Sequence, residues 1–198
     1  MEVMTNHGFR KTIKYLRAFI IISLIGFGCM MIVFLGILGY AKILGAPPLA
    51  VPQSTLFFAS DGTLIGESNS GQKRYWVPLE EISPDLINAT VSIEDKNFYE
   101  HSGFDYKRIV GAILADVKAG AKVQGASTIT QQYARNLFLE HDKTWSRKLH
   151  EAFYAIRIEM NYSKEEILEG YLNTIYYGNG AYGVQAASKY YYGKNASE

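Results

Sequence analysis

Cysteine is almost missing from this chain: its 198 residues include one, Cys29. A lone thiol excludes an intramolecular disulfide and does not fix the redox compartment. No Cys/His cluster has the spacing of a zinc site either. Cys29 lies in an apolar run, where a small buried hydrophobe is its plain role. An excess of charge is also lacking. The net charge is +1, so a broad nucleic-acid-binding surface has no support. Repeats and low-complexity tracts are absent. What is there is a folding chain, with 48% apolar residues and 15 tyrosines. Tyrosines suit wet, sugar-like or interfacial surfaces, and equally fill cores.

The small net charge hides an uneven distribution. Residues 1–17 hold Arg10, Lys11, Lys14 and Arg17 against Glu2. Setting those aside leaves 16 of the 20 basic and 18 of the 19 acidic residues beyond them. Between the two regions, residues 18–40 carry no charge over 23 positions, enough helix to cross a hydrocarbon layer of about 30 Å. A buried core helix and a cleaved signal peptide are the alternatives. The run is too uniform for the first and too long for the second. The positive-inside rule keeps 1–17 in the cytoplasm and sends 41–198 across. Pro47, Pro48 and Pro52 then make a short, stiff connector.

Beyond it, Thr55–Phe58 and Thr63–Gly66 flank Ala59-Ser60-Asp61-Gly62, which predicts a β-hairpin within a connector region over 41–82. From about residue 83 the pattern is helical. Ser83-Pro84 opens a helix that ends near Glu94. Residues 105–119 place Ile109, Ala112, Ile113 and Val117 at helical spacing. Ser127 or Thr128 caps the next helix, another runs over about 144–161, and Ser163-Lys164-Glu165-Glu166 is a capping box. A last helix covers about 182–192. The fold class expected is mainly α with a small β-hairpin, behind a single transmembrane helix.

Four constellations stand out. Glu94-Asp95 with His101, Gly103 and Asp105 reads either as a general-base carboxylate at a helix end or as a solvated acid before a loop of local hydrogen bonds. At a helix C-terminus the dipole favours the protonated acid, which suits base catalysis near neutral pH. His101 alone reads as structural. Next, Thr128, Gln132 and Asn136 form one helical stripe, and Ser127, Gln131 and Arg135 form its neighbour. Amides and hydroxyls, rather than Lys and Glu, argue for a helix lining a polar groove, and its free N–H groups favour an anion. Arg147, Lys148 and Glu151 share one face. Alone they are a surface ion pair, while beside Glu94 they add a second carboxylate and two cations suited to an anionic leaving group. The segment Glu169–Gly178 reads first as aromatic packing, with sugar or pyrophosphate contact as the minority reading.

Taken in order, the motifs are Glu-Asp-x-x-Phe-x-x-His-x-Gly-x-Asp (94–105), Gly-x-Ser-Thr-Ile-x-Gln-Gln-x-x-Arg-Asn-Leu (125–137) and Arg-Lys-x-x-Glu (147–151). Then come Ser-Lys-x-Glu-Ile-Leu-Glu-x-Tyr-Leu-Asn-x-x-Tyr-x-Gly (163–178), Gly-Val-x-Ala-Ala (183–187) and Tyr-Tyr-Gly-Lys (191–194). They resemble the glycosyltransferase family 51 domain of peptidoglycan transglycosylases, found in class A penicillin-binding proteins and in monofunctional cell-wall enzymes. The resemblance implies a lysozyme-like helical domain over 83–198 that polymerises lipid II into β-1,4-linked glycan with inversion, releasing undecaprenyl pyrophosphate. It implies Glu94 as general base and Glu151 as second carboxylate, acting with Lys148 and Arg147 at the donor pyrophosphate.

Ser127, Gln132, Arg135, Asn136 and Tyr176 are implied as substrate contacts, in the groove where moenomycin binds this family. Residues 104–124 resemble the family's membrane-embedded jaw. A divalent metal ion, Mg or Mn, is the one cofactor expected. The partners expected are lipid II, the growing strand, the membrane and cell-wall synthesis or division proteins, with no nucleic acid. Family members continue for several tens of residues past the Tyr-Gly-Lys motif, so the resemblance implies a domain incomplete at its C-terminus. The Ser-x-x-Lys, Ser-x-Asn and Lys-Thr-Gly set of a transpeptidase is not carried here. Two other readings stay open: a lysozyme-like or lytic enzyme that cuts glycan, and an inactive lipid II-binding anchored fragment.

Overall fold

The computed structural model describes residues 6–68, 71–139 and 144–198, with side chains from residue 11 onward. Residues 1–5 of the expected basic tail, and the side chain of Arg10, lie outside the described residues. The chain divides into two units, 1–43 and 44–198.

The described part of the first unit lies in one helix, α1 (Asn6–Leu44). It is longer than the apolar run at both ends, because Lys11 to Arg17 and Ala41 to Leu44 contain nothing that breaks a helix. It stops where Gly45 takes φ 63 and prolines follow, as a left-handed residue at a helix C-terminus commonly dictates. The stretch Lys11–Leu44 is long and apolar enough to cross a membrane.

The second unit opens with its connector fastened down. The Arg157 guanidinium donates to the Leu44 carbonyl at 3.3 Å and to the Gly45 carbonyl at 3.0 Å. The Tyr162 hydroxyl donates to the Pro47 carbonyl at 2.7 Å. The hairpin follows as expected, β1 (Thr55–Phe58) antiparallel to β2 (Leu64–Ser68), with a register shift between Phe57 and Phe58. Asp61 Oδ1 accepts from Thr63 N and Gly62 supplies φ 85, which sets the turn. A second pairing had no signal in the sequence: the two-residue strands β3 (Lys73–Arg74) and β4 (Ala181–Tyr182) pair in parallel.

Among the described residues six α-helices make most of the rest: α2 (Pro84–Glu94), α3 (Tyr106–Ala119), α4 (Ile129–Phe138), α5 (Trp145–Asn161), α6 (Lys164–Thr174) and α7 (Val184–Tyr192). At ten residues, α4 is too short to persist unaided. It is held by a capping box between Thr128 and Gln131, and by packing against both α5 and α6. Ile129, Tyr133 and Ala134 of α4 meet Ala155 and Ile158 of α5 and Ile167, Leu168, Tyr171 and Leu172 of α6, all fully buried. The segment before α2 is stitched to α6. Glu169 accepts from Trp76 Nε1 and Leu79 N, and Asn173 exchanges hydrogen bonds with both backbone groups of Val77. Glu169 and Asn173 therefore have structural work, and Tyr171 packs in the core.

The approach of α4 to α6 depends on one missing side chain. A Cβ at Gly170 would lie 2.1 Å from the Tyr133 hydroxyl and 2.3 Å from its ring carbon. Gly170→Ala should therefore cost about 1–3 kcal/mol in chemical denaturation. Tyr133→Phe removes a buried hydroxyl that has no hydrogen-bond partner, and should change stability by less than about 1 kcal/mol.

Candidate active site

The site is organised by Asp95, where the chain leaves α2. Its backbone turns out of the helix at φ −160, and its carboxylate is fully buried. Oδ2 accepts from Ile129 N at 3.0 Å, the first residue of α4. Both oxygens lie 3.0 Å from His101 Nε2; an ionised carboxylate only accepts, so Nε2 carries the proton. Thr128 adds a stitch by donating its hydroxyl to the Gly103 carbonyl at 2.7 Å. The anion expected at the start of this helix is thus supplied by the protein itself, the arrangement that dipole and free N–H groups favour. It is not an open phosphate site. His101 and Asp105 have local roles, Asp105 capping α3 through Arg108 N and accepting from Asn97.

One residue before Asp95, the half-buried Glu94 carboxylate is aimed at α4. Its Oε2 accepts from Gln132 Nε2 at 2.8 Å. Gln132 Oε1 in turn lies 3.4 Å from the Tyr171 hydroxyl, a long contact. Burial, and then the Glu94 charge, push the Tyr171 hydroxyl well above the usual phenol range. The same two causes raise Tyr177 to about 12. Both phenols therefore stay protonated beside Glu94. The Arg108 guanidinium donates to the Glu94 backbone carbonyl, capping the end of α2.

The second cluster begins α5. Thr144 accepts from Arg147 N and starts the helix. Lys148 Nζ donates to Glu151 Oε1 and, at 3.1 Å, to Ser127 Oγ. Arg147 Nη1 lies 3.8 Å from Glu151 Oε2. Glu151 is fully buried, yet its Oε2 and the Arg147 Nε have no hydrogen bond. Two cations against one carboxylate leave a positive surplus, with unfilled hydrogen-bonding capacity on both sides. Such a cluster stabilises an incoming anion.

Both clusters touch the same stretch of chain. Gln132 holds Glu94, and Ser127 holds Lys148. They lie five positions apart, Ser127 in the segment leading into α4 and Gln132 within its first turns. One end of this wall thus presents a carboxylate able to take a proton, and the other presents cations able to receive negative charge.

The profile described as Transglycosylase matches residues 61–198. The chain belongs to the transglycosylase family. It is 63% identical over 196 residues to penicillin-binding protein 2D of Bacillus subtilis, covering 99% of this chain and 28% of that protein. Penicillin-binding protein 1A of Aquifex aeolicus is 47% identical over 147 residues, 74% of this chain and 20% of its own length. The biosynthetic peptidoglycan transglycosylase of Nitrosospira multiformis is 44% identical over 148 residues, 74% of this chain and 64% of its own. The chain therefore spans about a quarter of the penicillin-binding relatives' length and just under two thirds of the shorter enzyme's.

Within this transglycosylase chain the residues named from sequence fall into two groups. Glu94 and Gln132 are brought together, as are Ser127, Arg147, Lys148 and Glu151. Among the described residues, no hydrogen bond or ion pair joins Arg135, Asn136 or Tyr176 to either carboxylate. Arg135 is half-buried and its charge partly offsets the upward shift of Tyr171. Asn136 is exposed, and Tyr176 lies against Tyr182 with ring centroids 4.7 Å apart. Gln131, placed on a groove stripe by its spacing, spends its amide oxygen on the backbone of Thr128. Sequence reasoning missed Tyr171 as a partner of Gln132 and Arg108 as the clamp on Glu94. Only a three-dimensional contact identifies either.

Replacing a buried carboxylate that accepts from Ile129 N and His101 Nε2 leaves hydrogen-bonding groups unmatched, so Asp95→Asn should lower the unfolding free energy by about 1–3 kcal/mol, measured in urea. The raised Tyr177 favours the protonated folded state. Its contribution is complete below the unfolded phenol value of 10.0 and is lost as pH rises to about 12. Stability measured across that window should fall more steeply for the native chain than for Tyr177→Phe.

Proposed function

We propose that the chain is a peptidoglycan glycosyltransferase that polymerises lipid II into β-1,4-linked glycan with inversion, in bacterial cell-wall synthesis. The observation that carries this reading is that one short stretch of chain serves both clusters, with Glu94 bonded to Gln132 and Lys148 bonded to Ser127. Family membership and the enzyme name carried by the Nitrosospira relative support it. Glu94 takes the proton from the acceptor sugar's 4-hydroxyl. The freed oxygen bonds to the anomeric carbon of the donor from the face opposite the diphosphate. The bond from that carbon to the phosphate oxygen breaks, and the electron pair leaves with the diphosphate. A single displacement of this kind inverts the anomeric centre. Lys148 and Arg147 receive the departing charge. Glu151, buried under them, keeps both cations in place. Ser127 offers a hydroxyl to the same phosphates, and Arg135, Asn136 and Tyr176 are proposed as more distant substrate contacts.

A divalent cation is part of the proposal only in a limited form. No three His, Cys, Asp or Glu side chains converge among the described residues, and Glu151 is already occupied by two cations. The donors among the described residues do not fit a resident metal site. Such an ion would arrive on diphosphate oxygens, as Mg2+ usually does, and no step is routed through it. The basic residues Arg10, Lys11, Lys14 and Arg17, which precede the apolar run within α1, support an orientation with the N-terminus cytoplasmic and residues 41–198 outside, where the lipid-linked substrate is used. Division and cell-wall proteins are the proposed partners.

With labelled lipid II, the native chain should form polymer, and Glu94→Gln should lower the rate at least about a thousandfold with unchanged circular dichroism. Lys148→Met should lower it about a hundredfold or more. Consumption of finished glycan in place of lipid II would make the chain a lytic enzyme, and near-native turnover by Glu94→Gln would remove that residue from its role.

A further inference from the structure

A second concave site lies between the end of α2 and the first half of α3, with a cavity of about 430 Å³. Three cations line it: Lys96, Lys107 and Arg108. The acid beside them, Asp105, is buried, and its oxygens are taken by Arg108 N and Asn97 Nδ2. Those hydrogen bonds hold its carboxyl below the usual carboxylate range, so it is spent on the fold and does not reach out to neutralise the lysines. Lys96 and Lys107 have no hydrogen bond or ion pair from their ammonium groups among the described residues. By contrast, Lys148 and Lys164 each hold a carboxylate. The Glu94 carboxylate does not line this cavity. Only its backbone carbonyl meets Arg108.

We infer that this cavity binds the phosphate of an anionic membrane lipid. Uncompensated ammonium groups facing one concavity call for an anion of more than one acceptor oxygen. Ser92 and Gln124 on its wall add neutral hydrogen-bonding groups. The surroundings assign the source of that phosphate. Ile93 lines the cavity, and Val110, Ile113, Leu114 and Val117 of α3 are all more than half exposed. A free phosphate has no use for an apolar border. A diacyl lipid places its head on the lysines and its chains along that face, the pairing of basic pocket and apolar surface that recognises acidic headgroups. The site is independent of the glycosyl transfer proposed above.

The test titrates the full chain, in a neutral detergent, with dihexanoyl phosphatidylglycerol, dihexanoyl phosphatidylcholine and inorganic phosphate, using calorimetry. Saturable binding of the phosphatidylglycerol, about tenfold tighter than either other probe, is the expected result. The double variant Lys96→Gln/Lys107→Gln should weaken it about tenfold, with an unchanged thermal melt because both side chains are exposed. Lys96→Gln alone repeats the test should the pair fail to fold. Lys118→Gln/Lys122→Gln, also on the α3 side but outside the cavity, should leave affinity unchanged. Equal affinity for the two lipids, or no loss in the first variant, overturns the site. Equal loss in the second variant reduces it to diffuse charge. Inorganic phosphate binding as tightly as the lipid overturns the lipid assignment.

Discussion

The arrangement of this domain depends on a single buried carboxylate. Asp95 sits where α2 ends and α4 begins, and an anion there satisfies the dipole and a free N–H of a helix too short to stand alone. His101 supplies the second set of contacts that makes a fully buried charge tolerable. Because Glu94 precedes Asp95 directly, pinning one places the other. The half-buried carboxylate then meets Gln132 without depending on a mobile loop. The placement of Glu94 is borrowed from a structural hydrogen-bond cluster.

The same wall explains why so many short polar side chains crowd residues 127–132. Thr128 and Gln131 close the helix start on itself, and Thr130 reaches Glu159, which also holds Lys164. Ser127 and Gln132 are left to face the two clusters. Position within one turn thus divides identical chemistry into support and function. Glu151 shows the opposite economy. A carboxylate with no exposure would be intolerable alone, and its two cations make it a fixture that concentrates positive charge at the mouth of the site.

The helices were legible because their ends are written in local chemistry. Ser83-Pro84, Thr128 with Gln131, Thr144 and the Ser163 box all start helices where the sequence indicates. The hairpin was legible from Asp61-Gly62 for the same reason. The parallel contact between Lys73–Arg74 and Ala181–Tyr182 was not, since two residues give no period and their partner is more than a hundred positions away. The helix α1 runs beyond the apolar stretch because charge, which ends an apolar run, does not end a helix. Motif order singled out Glu94, Gln132, Ser127, Lys148 and Glu151, and the fold joins them in two hydrogen-bonded groups. The spacing of α4 suggested an open anion site and could not reveal that Asp95 fills it, because a helix N-terminus looks alike whether its anion comes from a ligand or from its own chain. Tyr171 and Arg108 were hidden by their ordinary roles, one a core aromatic and one a helix-start cation.

The ammonium of Lys148 has a consequence for the rhythm of the cycle. It rests between a carboxylate and a hydroxyl of its own protein. An arriving diphosphate would replace the hydroxyl instead of meeting a bare charge, and a departing one would leave the ammonium with somewhere to return. In the glycosyl transfer proposed above, grip would thereby be moderated at both ends, so that each leaving group could be released before the next sugar pair is added.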